Sequence, residues 1–455
     1  MTPDSTPVLG ESAEPRCWGR PGTGRVTGSG PVCCSGACWV VSGHVVLRLR
    51  WGWWVVSEMP TGALVRLYRI ERRMGTVSLA THAGITVRYL EMIEAGSKTP
   101  SLPVLRSLAK VLGVRTSALV GEAPSEAHEG PVNPRLAEVE RALFTYRSLA
   151  LFDVRQLPSL EELGEQISAA KQSWYSSPSK YSDVLAVLPD LIVDSERAVY
   201  EYGRSVQACR QVSQLYQLAR QVLKHLGRVD LGGVVSDRAM RYAEETEDPL
   251  LIAAATWSLA HCLISDDMPA GSLEVAIKGR EALEPLLPEG TAEHFSLYGG
   301  LVLVAAVASL RTGDPWRARE LLREPAYKAG LRVGEGHNWH QTVFGPTNVA
   351  MHMVSVEHEQ GEITEALRLA DGVDISQIPS LERQTSHLYQ VARCYDCRNN
   401  DTAVFVHLKM AERLCPQDFQ HTRGVRSMVT TLVKRAKPSY ASEVREFAGR
   451  IGLLD

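Results

Sequence analysis

The chain has 455 residues, with 49 Lys+Arg against 52 Asp+Glu for a net charge of −3, and is 44% hydrophobic and 22% charged. Those values exclude collagen-like, disordered and membrane-spanning classes and leave a soluble globular protein with room for two or three domains, expected in the cytoplasm. Arg outnumbers Lys by 39 to 10, which reflects a GC-rich genome more than a function.

Residues 1–58 differ from everything after them. They hold Cys17, Cys33, Cys34 and Cys38 and also Trp18, Trp39, Trp51, Trp53 and Trp54, with Gly and Pro scattered between, and no helical or strand period is legible there. The polar, Pro-rich start is unlike a signal peptide, and the cysteines lack the paired spacing and His partners of a zinc site. The stretch is expected to be a disordered tail or an over-extended start, with translation beginning near Met59. Cys209, Cys262, Cys394, Cys397 and Cys415 fall in helical patterns and are expected as small core residues in a reducing compartment, the Cys394/Cys397 spacing included.

Residues 59–121 carry nine basic and three acidic side chains, a net +6, while the chain from Glu122 onward carries −10. A small basic module ahead of an acidic body is suited to a polyanion. Ala63-Leu64, Leu67 and Ile70 set a first amphipathic helix to about Arg73. A second runs from Thr76 through Leu79 and Ala80 to His82 and stops at Gly84, which takes a left-handed turn without steric cost. Thr86 caps a third, Val87 to Glu94, with Leu90 and Ile93 inward and Val87, Arg88, Glu91 and Met92 free to face outward. Ser101 opens a fourth, buried along Leu102, Leu105, Leu108, Ala109 and Leu112 and ended by Gly113; a fifth spans Thr116 to Val120.

Leu79-Ala80, Ala83-Gly84-Ile85-Thr86, Tyr89-Leu90, Ile93-Glu94-Ala95-Gly96, Pro100-Ser101-Leu102, Leu105, Leu108-Ala109 and Leu112-Gly113-Val114 follow one another in the order of a known family. Over Ala63 to Val120 the chain resembles the lambda-repressor/Cro (XRE) helix-turn-helix regulators. The resemblance implies that helix 86–94 enters the major groove of double-stranded DNA while the preceding helix crosses the phosphate backbone. Arg88 would pair with guanine, Val87 or Met92 would meet a thymine methyl, and Thr76, Thr86 and Lys98 would hold phosphates. Thr76 stands where the family usually has a longer glutamine. Arg69 and Glu94 occupy positions that the family often joins as a structural ion pair.

After a linker, residues 122–134, residues 135–455 show helical period throughout, so the fold class is all-α: a small five-helix module followed by a helical superhelix. Ala305, Ala308, Gly313-Asp314, Ala318 and Leu321 compare with Val356, Gly361-Glu362, Ala366 and Leu369, and with Ala392, Tyr395, Asn400-Asp401, Ala403, Ala411, Leu414 and Pro416. The turns at Asp314, Glu362 and Asp401 lie 48 and 39 residues apart, longer than the roughly 34 of a tetratricopeptide repeat, which these segments otherwise resemble. An earlier pair surrounds Ala254, Trp257, Leu259-Ala260 and Ala276, Ala282 and Leu283. From 135 to 230 the repeat is too blurred to count, although Ser205 to Leu226 reads as one long helix.

Such arrays present a concave face to ligands. Asn348, His352, Ser355 and Glu359 form a polar stripe opposite Ala350, Met353 and Val354, and Asn348, His352 and Ser355 are the candidate ligand-binding residues, suited to a peptide backbone. His337 and His340 lack a third ligand, and no catalytic, cofactor or metal motif is present, so no enzyme activity, cofactor or metal is expected. The overall resemblance, actinobacterial in type, is to peptide-sensing regulators of Gram-positive bacteria, which join this DNA module to tetratricopeptide-like repeats. It implies a sequence-specific transcriptional regulator whose body senses a peptide, small ligand or protein partner, acting as a homodimer without a membrane. A DNA-anchored interaction scaffold is the alternative; a phage-type repressor without ligand is disfavoured by the size of the body.

Overall fold

The computed structural model describes residues 38–41, 44–49, 52–55, 61–114, 116–119, 134–146 and 156–453. Two compact units divide at Met59/Pro60. In the first, strands β1 (Cys38–Val41), β2 (His44–Leu49) and β3 (Gly52–Val55) form an antiparallel sheet in the order β1-β2-β3, with Cys38 opposite Leu47 and Leu47 opposite Trp54. This corrects the sequence reading of 1–58, which found no strand period. The Val- and Trp-rich runs have the side chains that strands favour, but each spans only four to six residues between glycines.

The second unit is all-α among its described residues. It begins with α1 (Thr61–Glu71), α2 (Thr76–Ala83), α3 (Val87–Glu94), α4 (Leu102–Leu112) and α5 (Thr116–Leu119). Their core joins Val65, Leu79, Ala80, Leu90, Ile93, Leu105, Leu108 and Leu112, with Val87 partly packed against it. Two details differ from the sequence reading. Ile70 is 56% exposed, because α1 turns Leu64 and Val65 inward, and Ser101 caps α4 by backbone conformation without a side-chain hydrogen bond. Gly62 explains how α1 sits so close: a Cβ there would lie 1.9 Å from the Ile93 carbonyl oxygen.

The expected linker lies almost wholly outside the described residues. Beyond it come α6 (Pro134–Leu143) and a series of antiparallel hairpins: α7 (Leu160–Ser176) with α8 (Lys180–Glu201), α9 (Val206–His225) with α10 (Val229–Glu244), and α11 (Pro249–Ser265) with α12 (Pro269–Leu283). The next is α13 (Ala292–Arg311) against α14 (Pro315–Leu321), which continues through a widened turn at 322–326, around Pro325, into α15 (Tyr327–Val333). Then follow α16 (Pro346–Gln360) with α17 (Ile363–Ala370), α18 (Leu381–Cys397) with α19 (Asp401–Leu414), α20 (Pro416–His421), and α21 (Arg423–Arg435) with α22 (Ala441–Arg450).

Small residues set the spacing of these pairs, as the repeat pattern predicts: Ala305, Ala308, Ala318, Ala366, Ala392 and Ala411 are fully buried. At Gly299 an added Cβ would meet the Phe344 ring at 1.9 Å. Helix α13 is long and apolar enough to cross a membrane, which the sequence reading overlooked, but most of its apolar segment is buried inside the array. Cys209, Cys262, Cys394 and Cys415 are buried, whereas Cys397 is exposed, contrary to expectation, with its Sγ 3.9 Å from Nε2 of His358.

The array does not remain an open superhelix. Its first hairpin meets later helices, α7 packing against α18 and α8 against α20, with α21 and α22 following beyond that contact. The seam is polar: the Tyr181 N–H donates to Gln417 Oε1 at 3.0 Å, and Lys180 Nζ lies 2.9 Å from Asp418 Oδ1. Asp418 also accepts from Tyr181 Oη at 3.1 Å and Thr385 Oγ1 at 2.9 Å, and the Tyr181 and His421 rings lie 4.2 Å apart.

Candidate DNA interface and internal cavity

Helix α3 owes its start to Thr86, whose hydroxyl accepts from the Tyr89 N–H at 3.2 Å, and its angle to α1 owes much to Arg69. The Arg69 guanidinium donates to both Glu94 oxygens, Nε to Oε1 at 2.6 Å and Nη2 to Oε2 at 2.7 Å, and Nη1 reaches the Met74 carbonyl at 3.1 Å. With Leu90 and Ile93 buried, Thr86, Arg88 and Glu91 are left exposed and Met92 half-buried. Thr76 is half-buried in the first turn of α2, and Lys98 is exposed just past α3, where its N–H donates to the Met92 carbonyl at 3.2 Å. Val87 is half-buried, so only part of its side chain is available at the surface.

Helix α4 of this module packs against α16 of the array. There burial lowers the Arg106 guanidinium below its ordinary value, while Glu359, at the far end of α16, favours its charge.

The first helices of six successive hairpins, α7, α9, α11, α13, α16 and α18, surround a cavity of about 190 Å³. Arg220 and Lys224 project into it from α9, Asn348 and His352 from α16, and Glu382 and Arg383 from α18. Arg220 Nε donates to Ser258 Oγ at 2.8 Å, and Arg383 Nε donates to Asn348 Oδ1 at 2.7 Å, with its Nη2 3.0 Å from His352 Nδ1. Lys224 is exposed into the hollow, yet the protein around it pushes its ammonium down to about 8. Burial lowers Arg383 to about 10. Burial opposes the charge on Glu382, but His225 at 2.9 Å, with Lys180 and Lys224, outweighs it and holds the carboxyl well below the usual range.

One wall of the cavity is strained. His340, Gln341 and Val343 have φ of 48°, 63° and 51°, a left-handed conformation that a β-branched valine rarely adopts. Asn338 Oδ1 accepts from the Val343 N–H at 2.9 Å, and Asn348 Nδ2 donates to the Val343 carbonyl at 2.9 Å. Asn348 thus joins Arg383 to the strained loop. A larger hollow of about 540 Å³ lies against α13 and α15, but its charged groups are already engaged: Lys328 pairs with Glu324 at 2.6 Å, and Arg332 covers the Phe295 ring at 4.4 Å.

The predicted polar stripe on α16 therefore divides. Asn348 is only 3% exposed, and it and His352 face the cavity, whereas Ser355 donates to the Met351 carbonyl at 3.2 Å and does not line it. His337 stacks on Trp339, and His340 pairs with Glu293 at 2.9 Å. The cations Arg220, Lys224 and Arg383 were missed. Gln217, Arg220, Gln221 and Lys224 recur every three or four residues along α9, a helix otherwise buried nearly all round, and that stripe was the available signal.

Burial also lowers the histidines here, His352 to about 3 and His387, which is 5% exposed, to about 4. An unfolded histidine titrates near about 6.5, so below that pH the unfolded chain binds the proton that the folded chain refuses, and stability falls with pH. His387→Gln is expected to flatten that acid slope by up to about 1.4 kcal/mol per pH unit, read by urea unfolding at several pH values below neutrality. An unchanged slope would show that His387 does not contribute.

Residues 61–122 match the family of helix-turn-helix domains. Over 64 residues the chain is 39% identical to the immunity repressor protein of Bacillus phage phi105, a match covering 14% of this chain and 44% of the repressor. The chain thus spans less than half the length of that curated relative. The crystal structure of Bacillus thuringiensis PlcR in complex with the peptide PapR7 and DNA aligns at 12% identity and a TM-score of 0.24, covering 58% of this chain and 94% of that one. Apo ComR from S. thermophilus aligns at 20% identity and 0.26, covering 58% and 91%. Apo ComR from Streptococcus vestibularis aligns at 13% and 0.22, covering 88% and 99%. Residues 61–122 thus form a helix-turn-helix domain, and an all-α body of stacked helical hairpins follows it.

Proposed function

We propose that this chain is a one-component transcriptional regulator, not an enzyme, that reads double-stranded DNA as a homodimer through α3 and adjusts its affinity to a ligand held in the helical body. One observation carries the reading. Helix α16 borders the ligand-sized cavity with Asn348 and His352, and packs against the DNA module near Arg106. A ligand that favours one position of α16 over another therefore has a physical route to the DNA-reading helices.

Within the module, exposed Arg88 is the base reader, Val87 and Met92 are the apolar contacts, and Thr76, Thr86 and Lys98 are the phosphate contacts. Selection of DNA from a random library by the full chain should return a short inverted repeat. Arg88→Ala is expected to cost about 1–3 kcal/mol and to relax preference at one base pair, while Lys98→Ala weakens binding to all sequences alike. Equal losses on selected and random DNA for Arg88→Ala would refute its base-reading role. The scaffold reading finds support in Trp316, Tyr327 and Leu331, which are 69%, 51% and 61% exposed on the outside of the body. DNA affinity that no cavity ligand or cavity substitution changes would favour it.

A further inference from the structure

We propose that the cavity is a receptor site for a compact dianion, a small dicarboxylate or phosphate monoester, whose charge is taken up by Arg220, Lys224 and Arg383. This rests on the sensing reading above and names the chemistry of the ligand.

Charge comes first. Three cations face the cavity against one carboxylate, Glu382, and that carboxylate is already engaged by His225 at 2.9 Å. Arg220 and Arg383 hydrogen-bond only neutral groups, Ser258, Asn348 and His352, and among the described residues none of the three cations has a carboxylate within salt-bridge distance. Buried Arg220 and half-buried Arg383 lack a carboxylate partner at a cost in folding free energy, and an anion entering the cavity would recover part of it, with exposed Lys224 adding its charge at the surface of the hollow. The lowered value of Arg383 agrees with this cost.

Size comes second. A cavity of 190 Å³ falls below the roughly 300 Å³ at which drug-sized pockets begin. A molecule of about ten non-hydrogen atoms with two negative charges matches both the room and the surplus charge. Its contact with Arg383 would compete with Asn348 Oδ1, and Asn348 also holds the carbonyl of the strained Val343, so occupancy is communicated first to residues 340–343.

The test uses the full chain, with inorganic phosphate and malonate as probes and chloride at equal ionic strength as reference, read by thermal unfolding and by calorimetry. The expected result is a concentration-dependent rise of the unfolding midpoint with either probe, weakened at least about tenfold in Lys224→Gln and restored in Lys224→Arg. Lys278→Gln, which alters an exposed pair with Glu274, should bind like the parent chain. Because among the described residues the Lys224 ammonium makes no hydrogen bond that supports the fold, circular dichroism of Lys224→Gln should match the parent, and the loss then reports on binding. No stabilisation beyond chloride by either probe, or equal binding by Lys224→Gln, overturns the proposal while leaving DNA recognition untouched. Binding that disappears in Lys224→Gln without altering DNA affinity upholds the anion site and removes the sensing role.

Discussion

Asp418→Asn is expected to destabilise the helical array by about 3–5 kcal/mol, the loss seen when one partner of a buried ion pair is removed. Lys180 is completely buried, and its ammonium lies 2.9 Å from Asp418 and over the Trp174 and Tyr181 rings at 4.8 and 5.3 Å. Burial works against that charge, yet Glu382 and Asp418 keep the Lys180 ammonium above its ordinary value. Asparagine keeps the shape of Asp418 and can still accept from Thr385 or Tyr181, so the substitution removes mainly the nearer of the two counter-charges of Lys180, leaving Glu382. The double variant Lys180→Met with Asp418→Asn should regain much of the loss, since no buried cation then lacks a partner. Urea unfolding followed by circular dichroism measures both. A single-variant loss below about 1 kcal/mol would mean that Glu382 alone suffices for the Lys180 charge and that Asp418 does not hold α8 to α20.

Glu94→Ala should have the second largest effect, in the DNA module. The Arg69 and Glu94 side chains are only 12% and 9% exposed, and their two parallel hydrogen bonds tie α1 to the end of α3. Leaving a mostly buried guanidinium without its carboxylate is expected to cost about 3 kcal/mol, comparable to the whole stability of a domain of some sixty residues. DNA binding should therefore fall on every sequence, unlike the single-base effect of Arg88→Ala, with an accompanying loss of helical signal. Glu94→Gln, which keeps one hydrogen bond, should lie between. An unchanged unfolding profile in Glu94→Ala would show that the apolar contacts of Leu90 and Ile93 alone hold α3.

The DNA module was the most legible part of the chain because its helices end on residues with one mechanical meaning. Gly84 and Gly113 have φ of 71° and 66°, and Thr86 caps α3 through its hydroxyl. Ile70 was misread because helical spacing identifies a stripe but not which neighbouring stripe the fold buries. In the body, the later hairpins were readable from alanines that allow close packing, and α9 from its Ser205 cap. Hairpin α7/α8 was not, since its turn lacks the Gly-acidic pair. The meeting of Lys180 with Asp418 joins residues far apart in the chain, and no local pattern encodes it. The cavity cations lay on a readable stripe, but only the convergence of six helices gives three of them one hollow to share.

Contact of the first hairpin with α18 and α20 changes the mechanics of the helical array. An open stack behaves as a spring, each hairpin turning a little against the next so that a load spreads along its length. Helices tied across the stack by these contacts cannot turn as freely against one another. The segment from His340 to Val343, bent into an unfavourable backbone conformation, leads through Phe344 and Gly345 into α16. Helix α16, about 22 Å long at 15 residues, is stiff enough to act as a lever between that segment and the DNA module.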